Sequence, residues 1–238
     1  MESLSEIDER RRRFLLHLLA SAAFTTTVGC SSSSTGLTSE LPPGRSIHAL
    51  SGEVHVNGVP ASVLTRINPG DIIETFDRSF VIFVVQKDAF ILRGNSIMTL
   101  PGVTATPGIV STAFTLERGK ALSVLASRRT DISTPSAVIG VRGTGVYVEA
   151  EPDLSYVCVC YGTSDVTTRD DPDITETIVS DHHTGRYILA DKSASQRIIP
   201  APFKNHYDQE LLLIETLVGR TPPYIVPRGV TRTRGSYF

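Results

Sequence analysis

Hydrophobic and polar positions between Arg45 and about Thr168 alternate in short runs, punctuated by turn formers at roughly ten-residue spacing. Residues 52–56 (GEVHV) read as a strand, and Asn57-Gly58 as the tight turn that follows it. Asn68-Pro69-Gly70-Asp71 supplies a second turn before Ile72-Ile73. Residues 80–85 are continuously apolar, the pattern of a strand covered on both faces. Residues 90–92, 96–100, 114–116 and 121–125 extend the series, with turns expected at residues 93–95 and 117–120. No 3.6-residue period runs through this span. The expected fold class is all-β, a rolled or stacked β-sheet of sandwich or solenoid-like form. No exact internal repeat demands a strict solenoid.

The pattern changes after residue 200. Asn205 is placed to cap a helix, Asp208 lies in its first turn, and Leu211, Leu212, Ile214, Glu215 and Leu217 form its body. Gly219 stops it, with Pro222-Pro223 beyond. Its leucine face requires cover, so one C-terminal α-helix is expected to pack on the sheet. The basic, turn-rich end from Val226 reads as a loose tail.

The N-terminal residues follow a third pattern. A run of arginines precedes an apolar stretch over residues 14–24, and small residues lead to Cys30. Arg11-Arg12-Arg13-Phe14-Leu15 resembles a twin-arginine export motif. Thr27-Val28-Gly29-Cys30 resembles a lipobox, with threonine where leucine is usual, which would make Cys30 a lipidation site. Residues 14–29 fall short of the roughly 20 apolar residues of a membrane span. The expected division is residues 1–30 as export signal, 31–45 as flexible tether, 46–200 as the β domain, and 201–238 as helix and tail. The chain is then held at the membrane by an N-terminal lipid or an uncleaved signal, on the periplasmic side of a bacterial envelope.

Composition narrows the function classes. The chain has 238 residues, 40% of them hydrophobic, and a net charge of −2. That charge gives no field for nucleic acid, and the absence of tryptophan argues against a base- or sugar-stacking platform. No Gly-x-Ser-x-Gly elbow and no phosphate-cradling loop is present, so no catalytic residue is assigned.

Residues 132–148, ISTPSAVIGVRGTGVYV, resemble the FecR family of bacterial envelope domains. The resemblance rests on Thr134-Pro135 and on Val141-Arg142-Gly143-Thr144. LSGEVHVNG, INPGDIIET and TLERGKALSVL upstream resemble that family's opening hairpin and later strands. The likeness covers roughly residues 46–168. It implies an all-β binding or sensor domain, with an envelope protein or a small ligand as partner. Relatives of this kind signal to cytoplasmic sigma factors through a cytoplasmic segment. Only about a dozen residues precede the apolar stretch here, so a receiver domain without the anti-sigma segment is expected. Residue by residue, Thr134, Pro135, Arg142, Gly143 and Thr144 read as structural: glycine permits a turned backbone, threonine bonds it, and arginine reaches a neighbouring strand.

The remaining candidate chemistry is Tyr156-Val157-Cys158-Val159-Cys160-Tyr161. On a strand, Tyr156, Cys158 and Cys160 share one face, and Val157, Val159 and Tyr161 the other. His182-His183 follow in a turn-like SDHHTG, and His206 precedes the helix. Cys158, Cys160, His182, His183 and His206 form a soft donor set suited to zinc, copper or iron. Two adjacent His on a strand would diverge, so joint ligation requires a turn. Buried, inert cysteines and a strained, redox-active disulfide are the competing readings. A metal- or thiol-dependent redox enzyme and a structural scaffold for an envelope assembly remain the rival functions. Residues 169–173 (RDDPD) read as a solvated loop that lacks a full calcium pattern.

Overall fold

The computed structural model of the protein describes residues 41–102, 111–126 and 129–223. The residues read as an export signal, Cys30 among them, residues 31–40 of the tether and the basic tail from Val226 lie outside the described residues. The first strands are β1 (Ile47–Ser51), β2 (Val54–Val56), β3 (Val59–Pro60), β4 (Ile72–Thr75), β5 (Phe80–Val85), β6 (Asp88–Arg93) and β7 (Ser96–Thr99). There follow β8 (Ser111–Val124), β9 (Arg129–Ser133), β10 (Ala137–Ala150), β11 (Leu154–Thr168), β12 (Asp171–Ser180), β13 (Thr184–Leu189) and β14 (Ile198–Ala201). Among the described residues one helix, α1 (Asp208–Leu217), completes the all-β fold. Among the described residues no helix is long and apolar enough to cross a membrane.

All 14 strands join one hydrogen-bonded sheet. Long strands β8, β10 and β11 organise it. β8 and β10 pair antiparallel at one end, and both pair with β9 at the other, β8 in parallel. Because the three strands pair mutually, the sheet rolls instead of lying flat. The N-terminal half of β11 pairs with β13 and its C-terminal half with β12.

Three local expectations are corrected. Residues 117–120 make no turn: β8 runs straight through them. Ile97 faces Arg118 while Met98 faces Leu116, so β8 carries a bulge, with Gly119 at φ +97°. A side chain there would be strained in φ and would meet the Ser96 backbone at 2.5 Å. The extra residue is Glu117, in a strand that continues through Gly119 and Lys120. The Val141–Thr144 run likewise lies inside β10, at a register shift with Gly143 at φ +59°. Residues 169–173 are a short turn followed by the start of β12, and Asp170 is bound by Arg197 at 2.7 Å and Lys192 at 3.1 Å. These cations hold its pKa well below the carboxylate range, which answers the acidic cluster without calcium.

The rolled sheet has two buried faces. One is almost purely aliphatic and aromatic: Val81, Phe83, Phe90, Phe114, Leu116, Ile139, Val146, Val148, Val157 and Val159 belong to it. The other lies under α1 and mixes Ile82, Ile91 and Leu122 with Tyr147, Tyr156, Tyr161, Cys158 and Cys160. The helix contributes Leu211, Leu213, Ile214 and Leu217 to this second face, while Leu212 points outward.

The helix start differs from expectation. Asn205 sits at φ +62°, and the N-cap is Tyr207, whose backbone N–H donates to Glu210 Oε2 at 3.0 Å. Glu210 also accepts both Nη groups of Arg93, on β6, at 3.2 and 3.1 Å. This pair is nearly sealed from solvent. Asn205 instead donates its amide to the buried carboxylate of Glu149.

Candidate metal centre

Three separate segments deliver the sulfurs and imidazoles to one point beneath the start of α1. Cys158 and Cys160 come from β11, with their thiols free of any disulfide. His183 comes from the turn between β12 and β13 at φ +53°, and its N–H is fixed by the Cys160 carbonyl at 3.0 Å. Non-glycine residues seldom take that conformation, and here it turns the imidazole back over β11. His206 comes from the loop ahead of α1 and is fully buried.

His183 Nδ1 lies 3.8 Å from Cys158 Sγ and 3.2 Å from His206 Nε2, and Cys160 Sγ lies 3.4 Å from His206 Nε2. The four donor atoms all lie within 4.8 Å of one another. A tetrahedral ion bonded at about 2.0–2.1 Å to nitrogen and about 2.3 Å to sulfur sets nitrogens about 3.3 Å apart and nitrogen about 3.6 Å from sulfur. The observed separations match that frame.

Outer hydrogen bonds orient both rings. His206 Nδ1 faces the Lys204 carbonyl at 2.8 Å, which can only accept, so Nε2 carries the lone pair. His183 Nε2 is held by Asp208 Oδ1 at 2.7 Å, which turns Nδ1 toward Cys158 and His206. Two ring nitrogens therefore face each other beside two sulfurs. Such a centre calls for positive charge: a metal ion or, failing that, a proton on His183. Carboxylate and carbonyl partners behind ligating imidazoles are the usual support of metal sites.

The ionisation of the site follows the same logic. A hydrogen bond from Cys160 is the main cause that pulls the Cys158 thiol down to about 3, against burial and with help from His183 and His206. Burial, together with the negative neighbour Cys158, pushes Cys160 well up. The pair thus retains one proton between two sulfurs. Burial lowers the His183 pKa, but its bonds to Asp208 and Cys158 outweigh that and raise it. Burial raises Asp208, yet the two neighbouring histidines hold it below the ordinary range.

Of the five candidate ligands, four converge. His182 does not join them: it lies on the outer side, with Nε2 at 3.1 Å from Asp208 Oδ1. The carboxylate of Asp208 takes up its ring nitrogen instead. Tyr161 corrects the face assignment. Gly145 pairs with Tyr161 and Val146 with Val159, so Cys160 is an extra, bulged residue. A bulge turns two successive side chains to one side, and Tyr161 joins Cys158 and Cys160 beneath the helix. Its hydroxyl donates to the buried Glu215 carboxylate. Gly145 is required opposite it, because a Cβ there would meet the Tyr161 ring at 2.5 Å.

Asp208, Phe203, Glu149 and Arg93 were not expected at the site. Phe203 lies over both imidazoles, at 4.3 Å from the His183 ring and 4.6 Å from that of His206. Tyr147 stacks on His206 at 4.5 Å and donates to Glu149. Only Asp208 left a trace in the sequence, as an acid two residues after His206. The Thr134-Pro135 and Val141–Thr144 residues lie away from this centre. Thr134 Oγ1 accepts the Ala137 N–H at 3.0 Å, and Arg142 reaches Asp165 on β11 at 3.5 Å.

No family model matches the chain, and no curated protein matches it. Among solved structures, two crystal structures of a "putative anti-sigma factor" from Parabacteroides distasonis, at 1.65 and 2.50 Å resolution, are similar to it. Each is 14% identical with a TM-score of 0.44, over 55% of this chain and 58% of that one. The chain therefore spans less than two thirds of those neighbours.

Proposed function

We propose that the chain is a non-enzymatic, FecR-like binding or sensor domain of the bacterial envelope, and that Cys158, Cys160, His183 and His206 hold one zinc ion. The observation that carries the metal reading is the convergence of two imidazole nitrogens, 3.2 Å apart, and two sulfurs on one point. An S2N2 tetrahedron suits zinc, and two thiolates balance its charge in a buried place where net charge is costly. Four protein ligands leave no open position, which is the form of a structural or sensing site. FecR-like character is supported by the Val-Arg-Gly-Thr run and its neighbours. Export and anchoring are supported by the arginine run and by Cys30.

The enzyme reading has one observation in its favour. Cys158, His183 and Asp208 are connected in the order of a nucleophile, its base and an orienting carboxylate. A nucleophile must meet substrate, however, and both sulfurs are fully buried. That burial also weighs against thiol–disulfide exchange, which needs an accessible thiolate.

Metal-free full-length protein, titrated with zinc against a chromophoric chelator, should saturate at one equivalent. The Cys158→Ser/Cys160→Ser variant should take none. Wild-type protein that leaves the chelator's zinc untouched overturns the metal reading. For anchoring, Cys30→Ala should move the protein from the membrane to the soluble fraction; unchanged partition removes the lipid.

A further inference from the structure

The four donors are sealed, so an ion needs a way in. Cys158, Cys160 and His206 have no exposed surface, and the His183 side chain is 7% exposed. Two groups continue the site outward. The His182 side chain is 31% exposed and that of Asp208 21%, and their polar atoms sit 3.1 and 3.2 Å apart. Both are hard-wired to the inner site: Asp208 Oδ1 holds His183 Nε2, and the His182 and His183 rings touch edge to face at 4.2 Å. His182, His183 and Asp208 thus form a second set of donors that shares one imidazole with the first.

We infer that His182 and Asp208 form the loading mouth of the buried centre, which takes up a divalent, thiophilic cation transiently and passes it inward past His183. This inference rests on the metal reading above. An imidazole and a carboxylate are a competent temporary pair for such an ion, and the carboxylate draws it from solution. Exchange of ligands then proceeds by one bond at a time: His182 and Asp208 release the ion as the His183 ring and the two sulfurs take it. The Cys160 proton departs to water. Phe203, lying across both imidazoles and 38% exposed, is the side chain that must yield. Its loop is held by His206, Lys204 and Asn205 rather than by strand pairing.

A mouth alters rates and leaves the equilibrium alone. In full-length protein, zinc uptake from a chromophoric chelator complex and zinc loss to excess EDTA would be followed for wild type, His182→Ala and Phe203→Ala. His182→Ala should slow both directions by the same factor, with one equivalent still bound at unchanged affinity. Phe203→Ala should speed both. Equal rates for His182→Ala and wild type overturn the mouth. So does a second equivalent of zinc in wild type that His182→Ala abolishes, because the outer donors would then hold a resident ion. If wild type binds no zinc, the centre itself fails, which the stoichiometry reports separately.

Discussion

The two faces of β11 differ sharply within a few residues. Val157 and Val159 enter a core of aliphatic and phenyl groups. Tyr156, Cys158, the bulged Cys160 and Tyr161 beyond it enter a layer of thiols, phenols and imidazoles, closed by α1. On the first face burial alone stabilises, in proportion to apolar area. On the second, polar and charged groups lie among the aliphatic ones, and the carboxylates have specific partners: Glu210 with Arg93, Glu215 with Arg220, Glu149 with Lys204, Asp208 with His183. The first face tolerates replacement of one hydrocarbon by another of like size. The second does not, since removing one partner strands the other in low dielectric.

The largest expected effect comes from breaking that pairing. Arg93→Ala leaves the Glu210 carboxylate, about 1% exposed as a side chain, without its cation. Urea unfolding should report a loss of about 3–5 kcal/mol. A loss below about 1 kcal/mol would mean that Glu210 is solvated, and the contrast between the faces would be overdrawn.

Zinc removal should come next. With free zinc at about 100–1000 times its Kd, mass action contributes about 3–4 kcal/mol, so chelator should lower the midpoint of wild-type protein and leave the Cys158→Ser/Cys160→Ser variant unmoved. Val157→Ala sharpens the comparison from the other side. It should cost about 2 kcal/mol through lost methyl burial and a small cavity, with zinc stoichiometry unchanged. Zinc lost in Val157→Ala at full folding would show that the faces are not separable.

The smallest effect is in pH. Burial tends to raise the Glu149 pKa, but bonds from Asn205, Lys204 and Tyr147 bring it below the usual 4.5. The folded chain thus binds this proton less readily than the unfolded chain, so Glu149 contributes stability above about pH 4.5 that is lost as pH falls through the lower folded value. In chelator, Glu149→Gln should show a shallower loss between pH 5 and pH 3 than wild type, by about 1 kcal/mol or less. Parallel acid limbs would contradict the sign.

Much of the fold was legible because period-2 alternation and turn residues are local signals. Asn57-Gly58 and residues 93–95 turn as read, with Asn57, Gly58 and Asn95 all at positive φ. Bulges were not legible. Glu117 and Cys160 each add one residue to a strand, which depends on the partner's register and shifts every side chain beyond it. That is why Tyr161 was assigned to the wrong face. At the site, Cys158 and Cys160 were readable from their spacing and His183 from its turn-forming neighbours. Asp208, Arg93 and Phe203 were not, since their roles arise from contacts across 20 to 117 positions of the chain.

The central claim is that paired sulfurs on a pleated strand and two oriented imidazoles form a single closed ligand shell. Zinc-edge X-ray absorption on the zinc-loaded full-length protein tests it most directly. The account predicts a four-coordinate first shell of two sulfurs at about 2.3 Å and two imidazole nitrogens at about 2.0–2.1 Å. A shell of oxygens, or zinc sulfur scattering unchanged in the Cys158→Ser/Cys160→Ser variant, would contradict it.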